Sequence, residues 1–529
     1  MSPSGGEKDT IPPELIETIP ANRSTQFKGG RVELIFSEYL DAKTVDKAIR
    51  VLPYLPDLPQ IIYKGRRVFI EFPESLPKNQ TYIIIINRDL TDEHKVKLSQ
   101  SIQIAFSTGD KIDGASISGK VYYPNLSSVN LWKIKEESDL YQFYKRSPDY
   151  VVDTGDSGNY EFKYLSSGTY RLAAVDQSIS GLQIIPDRMV YGMSWKPHLE
   201  LKDQEQLNNV DIRIPTQSNA LKMVSAEWMK GAWGQITFSK DIIGMIDNMS
   251  LNVIYADLTQ ADLNIFNDPL DKKKLNFITD KLISDYISIN TSGISIDGNS
   301  VIDSSLIKIK MDTTTDTTAI SVIYPQEKHV VNVELDSIVP LKVVFSSIVD
   351  YGNSKGAFII MEDSLSIKLD AIWTSPLSVN LLPNNNWKPK TLYSLIIKKD
   401  SIPQVYGDPL KDSLTTITFR TTEFQRFGSL IVNPINKTPM QLVVELSKIE
   451  KESTIYRTNV KSLGTIRINE LPEDNYNLFF FQDLNGDNKH STGTVDPFLP
   501  AEWFQVYPDT IKIRANWELE LNQVFMGIK

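Results

Sequence analysis

The stretch Leu76–Asp110 has the sequence LPKNQTYIIIINRDLTDEHKVKLSQSIQIAFSTGD. A second copy of it occurs at Trp387–Glu423, with the sequence WKPKTLYSLIIKKDSIPQVYGDPLKDSLTTITFRTTE. Aligned on Tyr82 and Tyr393, each copy runs through an apolar strand, a basic residue, an aspartate and a polar loop into a second strand. A repeated strand, loop and strand unit predicts a modular array of β-sandwiches. It does not indicate a reaction.

The two copies also end alike, with Phe106 in the first and Phe419 in the second. Side chains alternate between the two faces of a strand, so equal offsets place the same side chains on the same face. We therefore predict that Tyr82 and Tyr393 occupy equivalent positions in two sandwiches.

Length and composition exclude several classes of protein. The 529 residues are 41% hydrophobic and 10% aromatic, which fits roughly three to five globular domains. Lys and Arg number 56 against 66 Asp and Glu, and this net charge of -10 disfavours phosphate binding, so we expect no nucleic-acid partner. The sequence contains no cysteine, which excludes disulfides, thiolate metal sites and thiol nucleophiles.

Apolar runs in the sequence are short. The longest is the strand-length run Tyr82–Ile86, well below the roughly 18 residues that a membrane-spanning helix needs. Residues 1–11 contain Ser, Pro and Gly with few apolar side chains. We predict that they form a flexible leader, exposed to solvent unless a partner holds it.

Residues 12–110 carry strand patterns separated by turn clusters, including Arg31–Phe36, Gln60–Tyr63 and Arg67–Phe72. Short strands with a turn about every 8 to 12 residues are typical of a β-sandwich. A short helix is expected at Thr44–Val51.

Four motifs in this region are PPEL (Pro12–Leu15), IPAN (Ile19–Asn22), LIFSE (Leu34–Glu38) and AFSTGD (Ala105–Asp110). Together they resemble the bacterial Ig-like domain of the SbsA type, although Leu15 stands where that family has Val or Ile. The resemblance implies an extracytoplasmic Ig-like domain.

The leader SPSGGEKDTIPP, Ser2–Pro13, resembles the segment that follows the lipidated Cys in Bacteroidota lipoproteins carrying this domain. The resemblance implies an outer-membrane lipoprotein, on the periplasmic face or the cell surface, held by an acylated Cys that is absent from this sequence. We expect the natural gene to encode a signal peptide ending in Cys just upstream, with Met1 standing where a processed residue was.

A second repeat has the alternating pattern Gly158, Tyr160, Phe162. The pattern recurs near the C-terminus, with the same spacing, as Gly464, Ile466, Ile468. Such alternation predicts strands with one buried face. Both copies resemble the carboxypeptidase-regulatory or collagen-adhesin B-type sandwich, a small transthyretin-like module.

The region between the repeats is less regular. Two stretches resemble the RVELIFSEYL strand of the first domain: WGQITFSKDI at Trp233–Ile242 and LKVVFS at Leu341–Ser346. They predict a further Ig-like sandwich or an elaboration of the next module. A helix is expected at Asp271–Tyr286, where several apolar residues share one helical face.

The predicted fold class is therefore all-β, a tandem array of Ig-like and transthyretin-like β-sandwiches. The predicted division is a flexible leader at 1–11, an SbsA-type Ig-like domain at 12–110, a carboxypeptidase-regulatory-like sandwich at 111–215, an Ig-like sandwich at 216–329, a second SbsA-type Ig-like domain at 330–425 and a second carboxypeptidase-regulatory-like sandwich at 426–529.

GDSG at Gly155–Gly158 matches the stretch around the nucleophile of chymotrypsin-like proteases. Triad catalysis needs a His within hydrogen-bond reach of the Ser, and Ser157 lies inside a strand-turn pattern. We assign the motif to a turn and predict no catalytic residue. None of the four histidines has a recognisable protease context; they are His94, His198, His329 and His490.

A transition-metal site would need a chance convergence of these scattered histidines with carboxylates. Calcium has a better candidate, because Asp483, Asn485 and Asp487 place oxygen side chains at alternate positions of a short loop. Gly486 and Thr494 depart from the EF-hand pattern. The alternative is a Gly-containing hairpin whose Asp and Asn bond their own backbone. We expect no other cofactor.

Tryptophans can supply stacking faces or interface anchors. Trp233, Trp387 and Trp517 adjoin predicted strands, so we expect them in the core. Trp195 and Trp503 follow the second strand pair of the two small modules, which indicates shared packing.

The predicted function is a non-catalytic outer-membrane lipoprotein that binds or scaffolds an envelope protein complex. One alternative is a surface protein that binds or processes carbohydrate, which a coplanar pair of exposed aromatic rings or a close carboxylate pair would favour. Another is a passive stalk, which end-to-end modules with small interfaces would favour.

Overall fold

The computed structural model describes residues 9–525 except for short gaps. These gaps are 56, 100, 187, 217–220, 230–232, 243–249, 283–284, 293–294, 297–299, 302–305, 313–317, 336, 355, 404, 406–407, 436–441, 450–454 and 461–463.

The chain is all-β, as the strand patterns predict, and it divides into two compact units. Unit 1 contains residues 1–219 together with 489–504, and unit 2 contains residues 220–488 and 505–529. Residues 489–504 therefore lie outside the unit that holds their neighbours in sequence.

The elements of unit 1 up to residue 219 begin with one sandwich and continue into a second. They are β1 Leu15–Ile19, β2 Gly30–Phe36, α1 Ala42–Ala48, β3 Ile49–Leu52, β4 Gln60–Lys64, β5 Arg67–Phe72, β6 Thr81–Ile86, β7 Ile102–Ser107, β8 Ala115–Tyr122, β9 Ser127–Lys133, α2 Asp139–Gln142, β10 Tyr150–Asp153, β11 Asn159–Leu165, β12 Gly168–Asp176, β13 Tyr191–Met193, β14 Leu199–Leu201, β15 Gln206–Leu207 and β16 Ile212–Arg213.

The strands from residue 220 to residue 424 have Ig-like patterns. They are β17 Met223–Met229, β18 Trp233–Phe238, β19 Ser250–Tyr255, β20 Leu263–Asn267, β21 Lys274–Thr279, β22 Tyr286–Ser292, β23 Ser295–Ile296, β24 Ser300–Val301, β25 Leu306–Lys310, β26 Val322–Tyr324, β27 His329–Val333, β28 Leu341–Phe345, β29 Phe358–Glu362, β30 Leu365–Ile367, β31 Leu369–Ser375, β32 Ser378–Pro383, β33 Leu392–Lys398 and β34 Leu414–Phe424.

The remaining strands follow in the C-terminal part of the chain. They are β35 Phe427–Ile435, β36 Leu442–Lys448, β37 Ile455–Val460, β38 Ile466–Pro472, β39 Asp474–Gln482, β40 Thr494–Val495, β41 Phe498–Leu499, β42 Phe504–Val506, β43 Ile511–Ile513 and β44 Glu518–Phe525.

One sheet order occurs three times along the chain. The four-stranded sheets β1-β2-β5-β4, β17-β18-β21-β20 and β26-β28-β32-β31 place equivalent strands in equivalent positions. β2, β18 and β28, which share the FS-ending sequence pattern, are each second in their sheet. The similarity seen in sequence thus corresponds to one shared Ig-like topology.

The long repeat has the same register in both copies. Tyr82 on β6 lies directly opposite Phe106 on β7, and Tyr393 on β33 lies directly opposite Phe419 on β34. All four side chains are buried. Each copy therefore buries the same aromatic pair at the same position of an antiparallel hairpin.

The small modules repeat at atomic detail as well. The Tyr170 hydroxyl donates to the Ser166 carbonyl at 2.8 Å, and the Tyr476 hydroxyl donates to the Pro472 carbonyl at 2.7 Å. In each module the strand before this corner holds a non-glycine residue with positive φ, Tyr164 in one and Glu470 in the other. Tyr160 and Ile466, at matching offsets, are both buried.

Strand β6 is buried on both of its faces. Tyr82, Ile84 and Ile86 point into the first sandwich, whereas Ile83 and Ile85 join the core of the second sandwich of unit 1. A strand buried on both faces reads as a continuous apolar run, which explains the unbroken YIIII sequence. The two sandwiches of unit 1 therefore share a hydrophobic interface.

Two helix predictions need correction. The first helix is Ala42–Ala48, so Ile49–Leu52 is a strand instead of the end of a helix. The prediction at Asp271–Tyr286 is wrong for its described residues, because Lys274–Thr279 pairs with a strand on each side as β21. Leu275 and Phe277, two apart, both lie in the hydrophobic core, as side chains on the same face of a strand do.

Among the described residues, no helix is long and apolar enough to cross a membrane.

Candidate functional site

The acidic loop at residues 483–488 is tied to its own backbone. The Asp483 carboxylate accepts N–H bonds from Gly486 at 2.8 Å and from Asn488 at 3.2 Å. The Asn485 side chain donates to Asp487 at 2.9 Å and accepts from the Asp487 backbone N–H at 3.1 Å. These are the contacts that the hairpin interpretation expects, and they bring Asp483, Asn485 and Asp487 into one turn. The calcium interpretation stays a prediction.

If a calcium ion binds this loop, millimolar calcium raises the midpoint of thermal unfolding relative to chelator. A ligand at a hundredfold excess over its Kd stabilises the folded state by about 2.7 kcal/mol. The Asp483→Ala variant should lose that increase, since it removes the buried carboxylate of the loop. An unchanged wild-type midpoint would exclude the calcium interpretation and leave the hairpin interpretation.

The GDSG motif forms a tight turn between β10 and β11. The Gly158 N–H donates to the Gly155 carbonyl at 2.8 Å, and Gly158 has φ +80°. A Cβ at this glycine would lie 2.3 Å from the Val121 carbonyl oxygen, so the turn requires glycine here. The motif is explained by backbone geometry.

A cleft of about 1110 Å³ lies beside this turn, within unit 1. Its walls come from both sandwiches, because Arg88, Ser101 and Gln103 of the first face Lys120 and Asp156 of the second. The described residues that line it include Ser157 but no histidine. The cleft has polar walls suited to a binding surface and lacks the base that Ser157 would need for triad catalysis.

Polar contacts bridge the two walls of the cleft. Arg88 pairs with Asp156 at 2.6 Å, and this hydrogen bond, followed by the positive charge of Arg88, lowers the pKa of the Asp156 carboxyl. The Gln103 side chain donates to the Glu161 carbonyl at 2.7 Å and accepts from the Lys163 N–H at 3.1 Å. These contacts extend the hydrophobic interface around β6 and fix the two walls together.

Residues 489–504, here named the strap, pack within unit 1. The Met193 N–H donates to the Thr492 carbonyl at 2.8 Å, and the Ala501 N–H donates to the Ser194 carbonyl at 3.2 Å. The Tyr144 hydroxyl donates to Asp496 at 2.6 Å. Sequence analysis did not find this docking, because the strap carries only short strand pieces between turns.

The strap also completes a hydrophobic cluster. Val495 and Ala501 of the strap are buried against Trp132, Phe143 and Tyr191. Without the strap, this face of unit 1 would expose aromatic side chains. Burial, followed by the bond to Asp496, raises the pKa of Tyr144 to about 12.

Arg171 lies beneath the strap with little exposed surface. Its guanidinium stacks 3.9 Å from the centre of the Phe498 ring and donates to the Leu140 carbonyl at 3.0 Å. Its Nε and Nη1 find no hydrogen-bond partner among the described residues, and burial lowers its pKa. A cation over an aromatic face is stabilised most when both are desolvated. Phe498 thus compensates in part for burial of the charge.

His490 is the second residue of the strap. Its ring packs 5.1 Å from the ring of Phe504, and its Nε2 lies 3.0 Å from the Glu502 carbonyl oxygen. Burial, followed by the positive charge of Arg213, lowers the pKa of His490 to about 3. His490 is therefore neutral at pH 7 in the folded protein.

We expect the melting transition of unit 1 to fall to lower temperature as the pH decreases from about 6.5 toward the folded pKa. The unfolded chain binds this proton near pH 6.5, whereas the folded protein does not, so proton uptake favours unfolding in that window. Above the window the stabilisation is complete. His490→Gln should show a shallower pH dependence, with His198→Gln as the matched control. Equal slopes in all three proteins would contradict the assignment.

The tryptophan predictions divide. Trp233 and Trp387 are buried, as predicted, and Trp233 lies in a cluster with Ile348 and Leu377 of unit 2. The prediction for Trp517 is wrong, because 66% of its surface is exposed. Trp517 directly precedes β44, which lies at one edge of a three-stranded sheet.

The fold and these contacts define a tandem array of Ig-like sandwiches. Residues 9–108 match the family model of a bacterial Ig-like domain. Domains of this family occur in extracellular or surface proteins. The match is to an Ig-like domain and not to a catalytic family.

No curated protein matches the chain. The LD-transpeptidase LdtMt1 in complex with imipenem is similar at 17% identity over 26% of this chain and 57% of that chain, with a TM-score of 0.15. The N-terminal part of the bacterial S-layer protein SbsC is similar at 12% identity over 39% of this chain and 44% of that chain, with a TM-score of 0.17. The Bacillus anthracis TIE protein is similar at 8% identity over 99% of this chain and 75% of that chain, with a TM-score of 0.14.

The chain thus spans about half the length of the transpeptidase and the S-layer fragment. TM-scores and identities this low support no conclusion about activity or partners.

Proposed function

We propose that this protein is a non-catalytic outer-membrane lipoprotein that binds or scaffolds an envelope protein complex, and that unit 1 is its binding platform. The observation that carries the proposal is the construction of unit 1. Its two sandwiches share a hydrophobic interface through Ile83 and Ile85, and the strap, from far along the chain, packs on the second. Such a unit presents a fixed surface without needing a reaction centre.

Two features support the proposal over a passive stalk. Stalk modules touch through small interfaces, whereas Leu52, Ile83 and Ile85 of the first sandwich lie in the same core as Phe162 and Leu165 of the second. The polar cleft also uses both sandwiches for its walls.

We further propose that the five-module division predicted from the sequence describes the whole chain.

The carbohydrate alternative has less support. Sugar platforms need open, coplanar aromatic faces, but Trp373 stacks at 5.9 Å on Phe345 and at 5.8 Å on Tyr351. Those faces cover one another. A glycan array with the purified chain tests this alternative directly, and specific binding of a glycan would favour it.

Membrane attachment is tested by the natural gene and by fractionation. A signal peptide ending in Cys just upstream, with the chain in the outer-membrane fraction, supports the proposal. Replacing that Cys by Ser should release the chain into the soluble fraction. A cytosolic start codon without an upstream Cys would overturn the lipoprotein proposal and leave the fold assignment intact.

A further inference from the structure

Three acidic groups and a histidine converge at one edge of the first sandwich. The ligand atoms of Asp9, Asp92 and His94 all lie within 4.8 Å of one another. Glu38, from the LIFSE motif, is close enough to interact with each of them. Sequence analysis treated such a convergence as chance, because the histidines are scattered along the chain. The four residues come from three separate segments: the leader, the chain just after β2 and the loop after β6.

A tight turn holds Asp92 in place. The Asp92 N–H donates to the Val96 carbonyl at 3.1 Å, and the Val96 N–H donates to Asp92 Oδ1 at 2.7 Å. Lys95 within the turn has φ +69°. The turn is attached to the chain after β2, because the backbone of Asp92 forms an isolated antiparallel β-bridge with Leu40. Asp92 is thereby fixed, and His94 is carried at the tip of the turn.

One oxygen of the Asp92 side chain, Oδ2, accepts no hydrogen bond from the N–H and hydroxyl groups that the structure describes. Asp92 has 0% exposed surface, and the group within hydrogen-bond reach of its carboxylate is another acid, the Glu38 carboxyl. An unpaired buried carboxylate oxygen is costly, because it has lost water without gaining a donor. This oxygen belongs to the same residue that converges with Asp9 and His94, so an additional positive group at this point would satisfy it.

The neighbouring charges also favour a cation. The Glu38 carboxyl lies beside those of Asp92 and Asp9. Lys95, the nearest basic residue in sequence, pairs with Asp41 instead. The carboxylates of Asp9, Asp92 and Glu38 therefore lie close together, and a divalent ion would relieve their repulsion.

We propose that Asp9, Asp92 and His94, with Glu38 beside them, form a binding site for a divalent transition-metal ion of the zinc class. Imidazole with carboxylate oxygens is a donor set that zinc accepts, whereas calcium prefers oxygens alone. Tetrahedral zinc with ligands at about 2.0–2.1 Å separates its donors by about 3.3 Å. His94 Nδ1 and Asp9 Oδ2 already lie 3.2 Å apart.

The site would attach the leader to the first sandwich. Asp9 precedes β1 and lies in the segment expected from sequence to be flexible, yet it is half-buried against His94. A bound ion would join residue 9 to the turn that follows β6. This inference does not depend on the proposed scaffold function, because it concerns the first sandwich alone.

Two other interpretations of the cluster make different predictions. An ion pair between His94 and Asp9 alone would bind no metal. A carboxylate pair for glycoside hydrolysis must flank a sugar, and Asp92 is too deeply buried to reach one.

The test is calorimetric titration of the full chain, free of any histidine tag and stripped by chelator, with zinc chloride. We expect one equivalent to bind, at least tenfold more tightly than calcium. His94→Gln and Asp92→Asn should each weaken zinc binding at least tenfold. His94 is 68% exposed, so its replacement should leave the fold intact, which circular dichroism verifies.

The matched control is His198→Gln, because His198 is also exposed and also lies near a carboxylate, Glu200, at 3.6 Å. It should bind zinc like the wild type. In hydrogen exchange, zinc should slow the amides of residues 9–15 in the wild type and in His198→Gln but not in His94→Gln. Absence of stoichiometric zinc binding, or equal losses in the two histidine variants, would overturn the proposal.

Discussion

Replacing Val495 by Asp is expected to detach the strap from unit 1. Val495 has no exposed surface and lies in the cluster that contains Trp132 and Tyr191. Losing this burial costs about 1.5–3 kcal/mol, and an unpaired buried carboxylate costs several kcal/mol more. Detachment returns the new carboxylate to water, so it is the less costly outcome.

Hydrogen exchange at Met193 reports the detachment. Its N–H donates to the Thr492 carbonyl of the strap, and this bond is lost when the strap leaves. Each 1.4 kcal/mol of destabilisation gives a tenfold change, so exchange should become about a hundredfold faster or more. The matched control is Leu499→Asp, the same chemistry at a strap position with 37% of its surface exposed. Met193 exchange that stays slow in Val495→Asp would contradict the docking of the strap.

Replacing Ile83 by Ser is expected to destabilise unit 1 strongly. Ile83 is 2% exposed and lies in the shared core between the two sandwiches. Truncating a buried Ile costs about 2–5 kcal/mol, and the serine hydroxyl adds a buried polar group. Serine is also the natural residue at the aligned position of the second copy, Ser394.

The matched control for Ile83→Ser is Ile396→Ser, which alters the partly exposed face of β33. We expect it to cost about 1 kcal/mol or less, in line with substitutions away from the core. A chain of several domains is not two-state, so urea unfolding should be followed by hydrogen exchange within β6 and β11. Equal losses of stability in the two variants would contradict the conclusion that β6, but not β33, is buried on both faces.

The sequence predicts strands well where burial alternates along the chain. The equivalence of Tyr82 and Tyr393, each opposite a phenylalanine of the following strand, follows from equal offsets in strands whose side chains alternate between two faces. The burial of both Tyr160 and Ile466 follows in the same way, since they lie at equal offsets in strands of the two small modules.

What sequence analysis missed depends on contacts between distant segments. The apolar spacing at residues 271–286 fits a helical face, but pairing on both sides makes Lys274–Thr279 a strand. Strap docking, and the approach of Asp9 to Asp92, join residues whose separation no local pattern records. The YIIII run was the one available signal of the shared core, since a strand with one buried face does not need Ile at every position.

Capture of the acylated full-length chain from native membranes, followed by cross-linking mass spectrometry, tests the scaffold proposal most directly. We expect one envelope protein complex at fixed stoichiometry, with cross-links concentrated on unit 1 around Lys120 and Lys163 of the cleft. The complex should be lost with Val495→Asp and kept with Leu499→Asp. Recovery of the chain without a protein partner, or the same partner at the same level with Val495→Asp, would contradict the proposal that unit 1 is the binding platform.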